Sequence, residues 1–435
     1  MIAAVLAVLV ATAAGSALYL SRQVGFAGTS STSSTQSLTG PQTQLQSSTS
    51  VTTITRTSAS QSGGNSLQPC PTGQTLFSVL PVSPNDTAVL TPLGQMSPPG
   101  HVFPAPHQYI YVLDVTHPIA KEAPVYSPGD MVLTSIGLRH YNTQGNKTNY
   151  IDYTLVFYLC ADFVLYFHHV RSLRYQPFID AAAKTLPTCN FSTQRNEDFC
   201  QGDVFISVKA GEMIGTTGDL EAGVNGLDIG ARDYRLPTGR SAFVDSARLC
   251  SGNHRNVYDR CYAVCAFDYF APGVRSQLRF NGFDGTTRTE PPSCGTVYLD
   301  VKGSAQGYWF GPGTPAPGTS PEANNIYLGP DNVKPSIGIF SVGTALMTLP
   351  PGKYSFVLAT SGFVNRNSGD ITPDGKIYCY ETKFLVGPSY SAPSPVTVML
   401  LKLLDTSTLQ IEVENGSTCG SGPWTFGTSY VIFSR

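Results

Sequence analysis

The amino-acid sequence predicts a mainly β protein, in which an N-terminal apolar α-helix is followed by a head of two all-β modules. Three observations support this fold class. Aromatic and β-branched residues are frequent, and 42 Gly and 32 Pro interrupt them, which suits short strands better than long helices. Apolar and polar side chains alternate along many of the runs between these breaks. A long uninterrupted apolar stretch is found at the start of the chain.

Composition divides the 435 residues into four segments. Residues 1–26 are predicted to be the apolar helix, and residues 27–68 a linker rich in Ser, Thr and Gln. The head then begins with a first β module at residues 69–290. A second module, expected to be similar to a β-sandwich, covers residues 291–435. We place the boundary there because "TEPPSCGTVYLDV" is typical of the entry to a new β module.

The first twenty residues carry no charged side chain, and the first charge is Arg22. As an α-helix they would measure about 30 Å, enough to cross the hydrocarbon core of a membrane. A secretory signal normally has a basic region before its apolar stretch, and this chain shows none. Three interpretations remain open: an uncleaved signal anchor, a signal peptide cut near "AGSA", and a mature N-terminus from which a leader has been removed.

The third interpretation explains the missing basic residues. An apolar helix at the very start of the chain, followed by a Ser/Thr-rich segment, resembles archaeal type IV pilins and archaellins, whose leaders are cut just before such a helix. The resemblance covers residues 1–26 and implies a helix that leaves the membrane and bundles with copies of itself in a filament core. Large side chains would be buried there and small ones would allow close approach. The residues expected in this core are Ile2, Ala3, Val5, Leu6, Ala7, Val8, Leu9, Ala11, Gly15, Leu18 and Leu20.

The segment from Gly28 to Gly64 has a single charge, Arg56, and is mostly Ser, Thr and Gln. It has too little apolar surface to offset the entropy of ordering it, so in isolation we expect an extended spacer. Its Ser/Thr density also suits an O-glycosylated stalk. In a filament, the same segment would become an ordered, sugar-coated collar.

Cysteine usage and sequons indicate an exported protein. The ten cysteines are scattered, with no C-x-x-C and no Cys/His zinc spacing, which favours disulfides in an oxidising compartment. The loop "CNFSTQRNEDFC" suggests a pair between its two ends, although spacing does not determine connectivity. The cysteines expected in disulfides are Cys70, Cys160, Cys189, Cys200, Cys250, Cys261, Cys265, Cys294, Cys379 and Cys419. Sequons for N-glycosylation begin at Asn85, Asn146, Asn190 and Asn415.

Charge excludes some classes of partner. The net charge of −2 and the isoelectric point near 6.4 give no electrostatic basis for binding nucleic acid or an anionic lipid surface. The expected partners are identical copies of the chain, and the membrane before assembly. We expect no cofactor, no metal and no enzymatic activity, and a location outside the cell or at its surface.

The head contains a succession of strand-like runs and one short helix candidate, residues 176–186. The runs predicted to be strands are residues 108–115, 130–138, 150–160, 162–170, 263–270, 295–301, 352–361, 376–386, 396–404 and 408–414.

The first module contains a second family resemblance. "APVYSPGDMV" (Ala123–Val132), "DFVLYFHHVRSL" (Asp162–Leu173), "VKAGEMIGTTGD" (Val208–Asp219) and "NGLDIGARD" (Asn225–Asp233) occur in that order. Together they resemble the lysostaphin/LytM-type zinc endopeptidases, whose fold is a small β-barrel. In the third stretch, two glycines, at positions 211 and 215, are expected to supply a tight turn between strands.

The sequence departs from that family at the positions of the zinc ligands. A catalytic zinc needs three protein ligands around an open position. Where the family carries His-x-His, this chain has Gly226 and Asp228. We therefore expect a barrel that has lost its zinc and its peptidase activity.

The other candidate ligands do not restore the pattern. His168 or His169 falls at the catalytic histidine that the resemblance implies, whereas His107 and Asp114 are upstream candidates with the wrong spacing. A single remaining histidine does not hold a metal, which is the reason for expecting none.

Function is therefore predicted to be structural: a subunit of an extracellular pilus-like filament with a glycosylated, disulfide-stabilised head. The alternative is a membrane-anchored β-domain protein that binds glycan, cell-wall material or a surface partner, and a zinc metallopeptidase comes third. There is no H-E-x-x-H, G-x-S-x-G or P-loop. Tyr308 and Trp309 in "GYWFGPG" are expected to pack in a core or interface in preference to stacking on sugars.

Overall fold

The computed structural model describes eleven stretches of the chain: residues 67–73, 75–112, 122–141, 150–186, 197–218, 226–251, 259–282, 284–314, 322–346, 348–385 and 395–435. Residues 67–435 group into one compact unit. The predicted helix at 1–26 lies outside the described residues, as does the linker up to residue 66. Within the described part, no helix has both the length and the apolar character required to cross a membrane.

The protein is mainly β, as predicted, and its strands form two antiparallel sheets. The first sheet has ten strands, in the order β1-β2-β9-β6-β5-β4-β7, while β10 pairs with β9, and β8 pairs with both β3 and β6. Its strands are β1 (Val89–Leu90), β2 (Gln108–Tyr111), β3 (Ala123–Tyr126), β4 (Met131–Tyr141), β5 (Tyr150–Cys160), β6 (Phe163–Leu173), β7 (Glu197–Val208), β8 (Met213–Thr217), β9 (Gly226–Asp233) and β10 (Ala263–Val264).

The second sheet has eight strands that follow one another in chain order. They are β11 (Gly307–Trp309), β12 (Ile326–Pro330), β13 (Ile337–Val342), β14 (Gly352–Val357), β15 (Tyr378–Phe384), β16 (Val396–Asp405), β17 (Thr408–Glu414) and β18 (Val431–Ser434).

This second sheet curls until its two edges meet. Phe310, directly after β11, pairs with Ser434 of β18 through two backbone hydrogen bonds of 2.8 and 2.9 Å. The result is one barrel-like sheet whose strands follow one another in chain order. The predicted sandwich, with two stacked sheets, is not found among the described residues of this part of the chain. The physical reason is that the closing pair satisfies the backbone groups of both edge strands.

The longest helix within the described residues confirms its sequence pattern. Helix α1 spans Gln176–Thr185, with a proline in its first turn, where the missing N–H costs nothing, and it buries Phe178 and Ala182. The two other α-helices found in the described stretches are single turns, α2 (Ser246–Leu249) and α3 (Pro272–Arg275). Short 3-10 turns occur at Pro84–Asp86, Gly239–Ala242, Arg260–Tyr262, Ala266–Tyr269, Glu322–Asn324 and Ser368–Asp370.

Each sheet encloses its own apolar core, and a third core lies between them. This third core joins residues that precede β2 to residues of the second sheet; for example, the ring of Phe103 packs edge-on against Tyr308 at 5.0 Å. Tyr308 and Trp309 are both fully buried, which confirms that they pack inside the protein.

Disulfides staple the head, as the cysteine count predicted. The pairs are Cys70–Cys160, Cys250–Cys261, Cys265–Cys294 and Cys379–Cys419. Cys200 is also disulfide-bonded, while Cys189 lies outside the described residues. Disulfides of this number are typical of an oxidising, extracellular environment.

Two predicted strands are wrong. Residues 263–270 form a strand only at Ala263–Val264 and then a 3-10 turn, and residues 295–301 form none. The first segment contains Cys265 and the second directly follows Cys294, its disulfide partner. Gly295 adopts a left-handed φ of 82° that interrupts extended backbone. The alternating pattern there reflects packing against the third core, since Val297 is fully buried within it.

Candidate functional site

A change of strand partner in β6 organises a polar buried region of the head. Residues Phe163–His168 of β6 pair with β9, whereas Val170–Leu173 pair with β8. The residue at the switch is His169, whose φ of 63° lies in the left-handed region that side chains other than Gly rarely adopt. The register against β5 shifts at the same point, between Tyr153 and Leu155, so the two histidines form a β-bulge opposite one residue.

The bulge lets two consecutive histidines both reach polar groups on β5. Nδ1 of His168 is 2.7 Å from Oγ1 of Thr154. Nδ1 of His169 is 2.9 Å from Oδ2 of Asp152. In a regular strand, neighbouring side chains point to opposite faces, so the extra residue is what permits this arrangement.

Asp228 connects these histidines to a third one. It lies in β9, opposite Tyr109 of β2 on one side and His168 of β6 on the other. Its Oδ2 is 3.4 Å from Nε2 of His169 and 3.4 Å from Nε2 of His107, the residue that precedes β2. We call His107, Asp152, His168, His169 and Asp228 the His–Asp cluster.

The His–Asp cluster is shielded from solvent. Asp152, Asp228, His107 and His168 are all buried, and the side chain of His169 keeps 18% of its surface exposed. Beside it lies Arg232, which is fully buried, donates from Nη1 to the carbonyl of Pro106 at 3.0 Å, and stands over the ring of Tyr166. The cluster is therefore an ionic network within the sheet, reached from solvent only at His169.

Burial and neighbouring charges give the three histidines of the cluster two different protonation states. Burial, together with nearby His101 and Arg232, holds the pKa of His107 well below its usual value, and burial and His169 do the same for the pKa of His168. Burial also opposes the charge on His169, but Asp228 and Asp152 outweigh it and raise the pKa of His169 to about 10. At neutral pH, His169 is thus an imidazolium between two carboxyl groups, flanked by two neutral imidazoles.

The donor atoms of the cluster do not fit a zinc centre. Within the described residues, Nδ1 of His107, Oδ1 of Asp152 and Oδ1 of Asp228 have no hydrogen-bond partner, so donors are present. They do not converge, however. Sets of three candidate ligand atoms within 4.8 Å of one another occur in the described part only at Cys250/Asp259/Cys261 and Cys265/Asp268/Cys294, whose cysteines form disulfides.

The prediction of a single remaining histidine is wrong, because the fold brings His107, His168 and His169 together around Asp228. Sequence reasoning missed Asp152 altogether. Its signal was a carboxylate inside an otherwise apolar strand pattern, "YIDYTLVFYLC". Asp114, the other upstream candidate, lies outside the described residues.

Of the two glycines predicted to form a tight turn, only Gly211 lies in one. Gly211 does lie in a turn, with φ of 82°. Gly215 lies within β8, and a Cβ there would come 2.5 Å from the backbone oxygen of Ser172 in β6. Gly215 therefore permits close strand pairing next to the bulge, and it is not part of the turn.

Of the predicted modification sites, Asn85 and Asn415 are described and exposed, while Asn146 and Asn190 lie outside the described residues. The predicted filament-core residues between Ile2 and Leu20 also lie outside. Searches of protein-family models, curated proteins and solved structures find no match to this chain. Both family resemblances therefore remain predictions.

Proposed function

We propose that this protein is the structural subunit of an extracellular filament, assembled through its apolar N-terminal segment with a glycosylated, disulfide-stapled β head outside. The observation that carries the proposal is the uncharged run of residues 1–20 followed directly by a segment rich in Ser, Thr and Gln. This order suits a buried core helix, a solvated collar and a head.

Burial of the apolar segment is the main driving force in this proposal. The predicted filament core contains seven large apolar side chains: Ile2, Val5, Leu6, Val8, Leu9, Leu18 and Leu20. At ~1.5–3 kcal/mol each, their removal from water amounts to a gross ~10–20 kcal/mol. Lipid offers the same gain, so hydrophobicity alone does not select the filament. The selection comes from small residues such as Ala7, Ala11 and Gly15, which allow neighbouring helices to pack closely.

The head supports this role through its construction. Its disulfides and apolar cores are typical of a domain that persists outside the cell. The His–Asp cluster is a network of paired charges that joins three strands of the first sheet, which supports a structural role for it. We therefore assign no reaction to the His–Asp cluster.

Imaging of the native full-length protein by negative-stain electron microscopy tests the proposal. We expect helical fibres whose number rises with protein concentration. Discrete particles at every concentration, in the absence of detergent, would overturn the filament proposal.

A membrane-anchored binding protein is the second candidate, and the length of the apolar run favours it. Twenty uncharged residues match the hydrocarbon thickness of a bilayer as well as they suit a filament core. This candidate expects monomers in detergent, incorporation into vesicles at all concentrations, and ligand binding by a head released from the segment by proteolysis in the linker.

A further inference from the structure

A cavity of about 260 Å³ opens at the end of β17, where the second sheet meets its last loop. Its lining includes Val398 and Leu400 of β16, which are buried, and Trp424, which is half-buried. Polar residues, Glu414, Asn415 and Thr418, line it as well. A half-buried indole among polar residues is a surface that a pyranose ring matches, because a sugar has an apolar face and hydroxyl groups at its edges.

The wall formed by Trp424 is held in position. The indole Nε1 donates a hydrogen bond of 2.6 Å to the backbone oxygen of Cys419. Cys419 is in turn bonded to Cys379 of β15 and donates its backbone N–H to Oε1 of Glu381 at 2.8 Å. The ring is therefore fixed before any occupant arrives, which lowers the entropic cost of covering it.

Asn415 indicates which molecule would occupy the cavity. Asn415 follows β17 directly, is exposed, and begins the sequon Asn415–Gly416–Ser417. Because Asn415 lines the same cavity as Trp424, a sugar attached to its side chain would start at the mouth of the cavity. The other described sequon, at Asn85, is also exposed, but the cavity lining does not include it.

We propose that Asn415 carries an N-linked glycan whose first sugar ring packs against Trp424 inside this cavity. The apolar face of the ring covers the indole, and its polar edge meets Glu414 and Thr418. Glycan and protein then form one surface at this end of the second sheet.

The modification is a glycosyl transfer from a polyprenyl-phosphate-linked sugar donor. Nδ2 of Asn415 forms a bond to the anomeric carbon of the sugar and loses one proton. The bond between that carbon and the donor's phosphate oxygen breaks, and the phosphate leaves with the electron pair. The reaction needs no oxidant or reductant.

This inference rests on the export and glycosylation of the head, which is part of the proposed function, and not on filament assembly. The two are therefore separable by experiment. Loss of the glycan contact leaves fibres intact, and an absence of fibres leaves the contact at Trp424 testable in single subunits.

The two tryptophans of the chain provide the measurement. Trp309 is fully buried in the core of the second sheet, so quenching of intrinsic fluorescence by acrylamide reports Trp424. The full-length protein from its native host is compared with Asn415→Gln from the same host, with glycopeptide mass spectrometry on both. We expect the mass to show a glycan on Asn415, and the quenching constant to rise roughly twofold in Asn415→Gln because the indole loses its cover.

Asn85→Gln is the matched control, since it removes an exposed sequon elsewhere and should leave quenching unchanged. An unmodified Asn415 overturns the proposal. So does equal quenching in Asn415→Gln and the parent protein, when both unfold at the same urea concentration. Protection of Trp424 by free N-acetylglucosamine in a protein with unmodified Asn415 also overturns it, because the cavity would then be a site for a soluble ligand.

Discussion

Nε2 of His169 lies 3.4 Å from Oδ2 of Asp228, while its Nδ1 lies 2.9 Å from Oδ2 of Asp152. One imidazolium thus joins β9 to β5 through β6, at the point where β6 leaves one partner strand for another. Because His169 also accepts a left-handed backbone, the ion pairs and the bulge support each other. The stability of the first sheet should therefore depend on the charge of this residue.

The first prediction concerns pH. The pKa of His169 is raised from 6.5 to about 10, so its contribution is fully present below about pH 6.5 and is lost as the pH rises towards 10. The pKa values of His107 and His168 are lowered, so their contribution is present above pH 6.5 and is lost as the pH falls. Thermal unfolding should give a maximum in Tm near pH 6.5, and a Tm that is constant from pH 6.5 to 10 would contradict this.

The second prediction is that His169→Gln destabilises the head by ~3–5 kcal/mol, because it leaves two buried carboxyl groups without their positive partner. Both side chains carry a Cβ, so the cost of the left-handed backbone is similar in the two proteins. Urea unfolding at pH 6.5 measures the loss, and the alkaline decline in Tm should also become shallower.

The control for this variant is His101→Gln. His101 contacts the rings of His107 and Tyr109, but no ion pair is found for it in the described part of the chain. We expect a loss of less than about 1 kcal/mol. Equal losses in His101→Gln and His169→Gln would show that packing, and not the charge of His169, accounts for the effect.

The third prediction concerns the disulfide next to the Trp424 cavity. The Cys379–Cys419 disulfide closes a loop with a sequence separation of 40, and its replacement by two serines should cost about 4 kcal/mol in the chain-entropy view. The Cys250–Cys261 pair has a separation of 11 and should cost about 3 kcal/mol by the same reasoning. Urea unfolding of both double variants tests the order, and a larger loss from the shorter loop would contradict it.

The fourth prediction tests the assembly. Val8→Asp places a charge in the predicted core of the filament, where it has no partner, and should abolish fibres while the head unfolds at an unchanged urea concentration. Val8→Leu keeps the position apolar and should still assemble. Fibres of normal length from Val8→Asp, seen by electron microscopy, would count against burial of this segment in a filament.

The spacing of apolar residues was sufficient to predict several strands and the longest helix of the described residues. The run at 150–160 is β5, and the helix predicted at 176–186 is α1, which ends one residue earlier. In both, the spacing of apolar residues over one stretch of chain sets the outcome. The apolar pattern did not predict β12 and β13, because Gly and Pro interrupt the stretch of sequence in which these strands lie.

The sequence by itself determined that the head is β-rich, exported in character and disulfide-bonded, since composition, alternation and cysteine number are properties of the chain alone. Only the tertiary structure decided that His107, Asp152, His169 and Asp228 meet. These residues lie on or beside four strands far apart in the chain, and what joins them is the register of three ladders and one bulge. Such long-range register depends on the packing of the whole sheet, which no local stretch encodes.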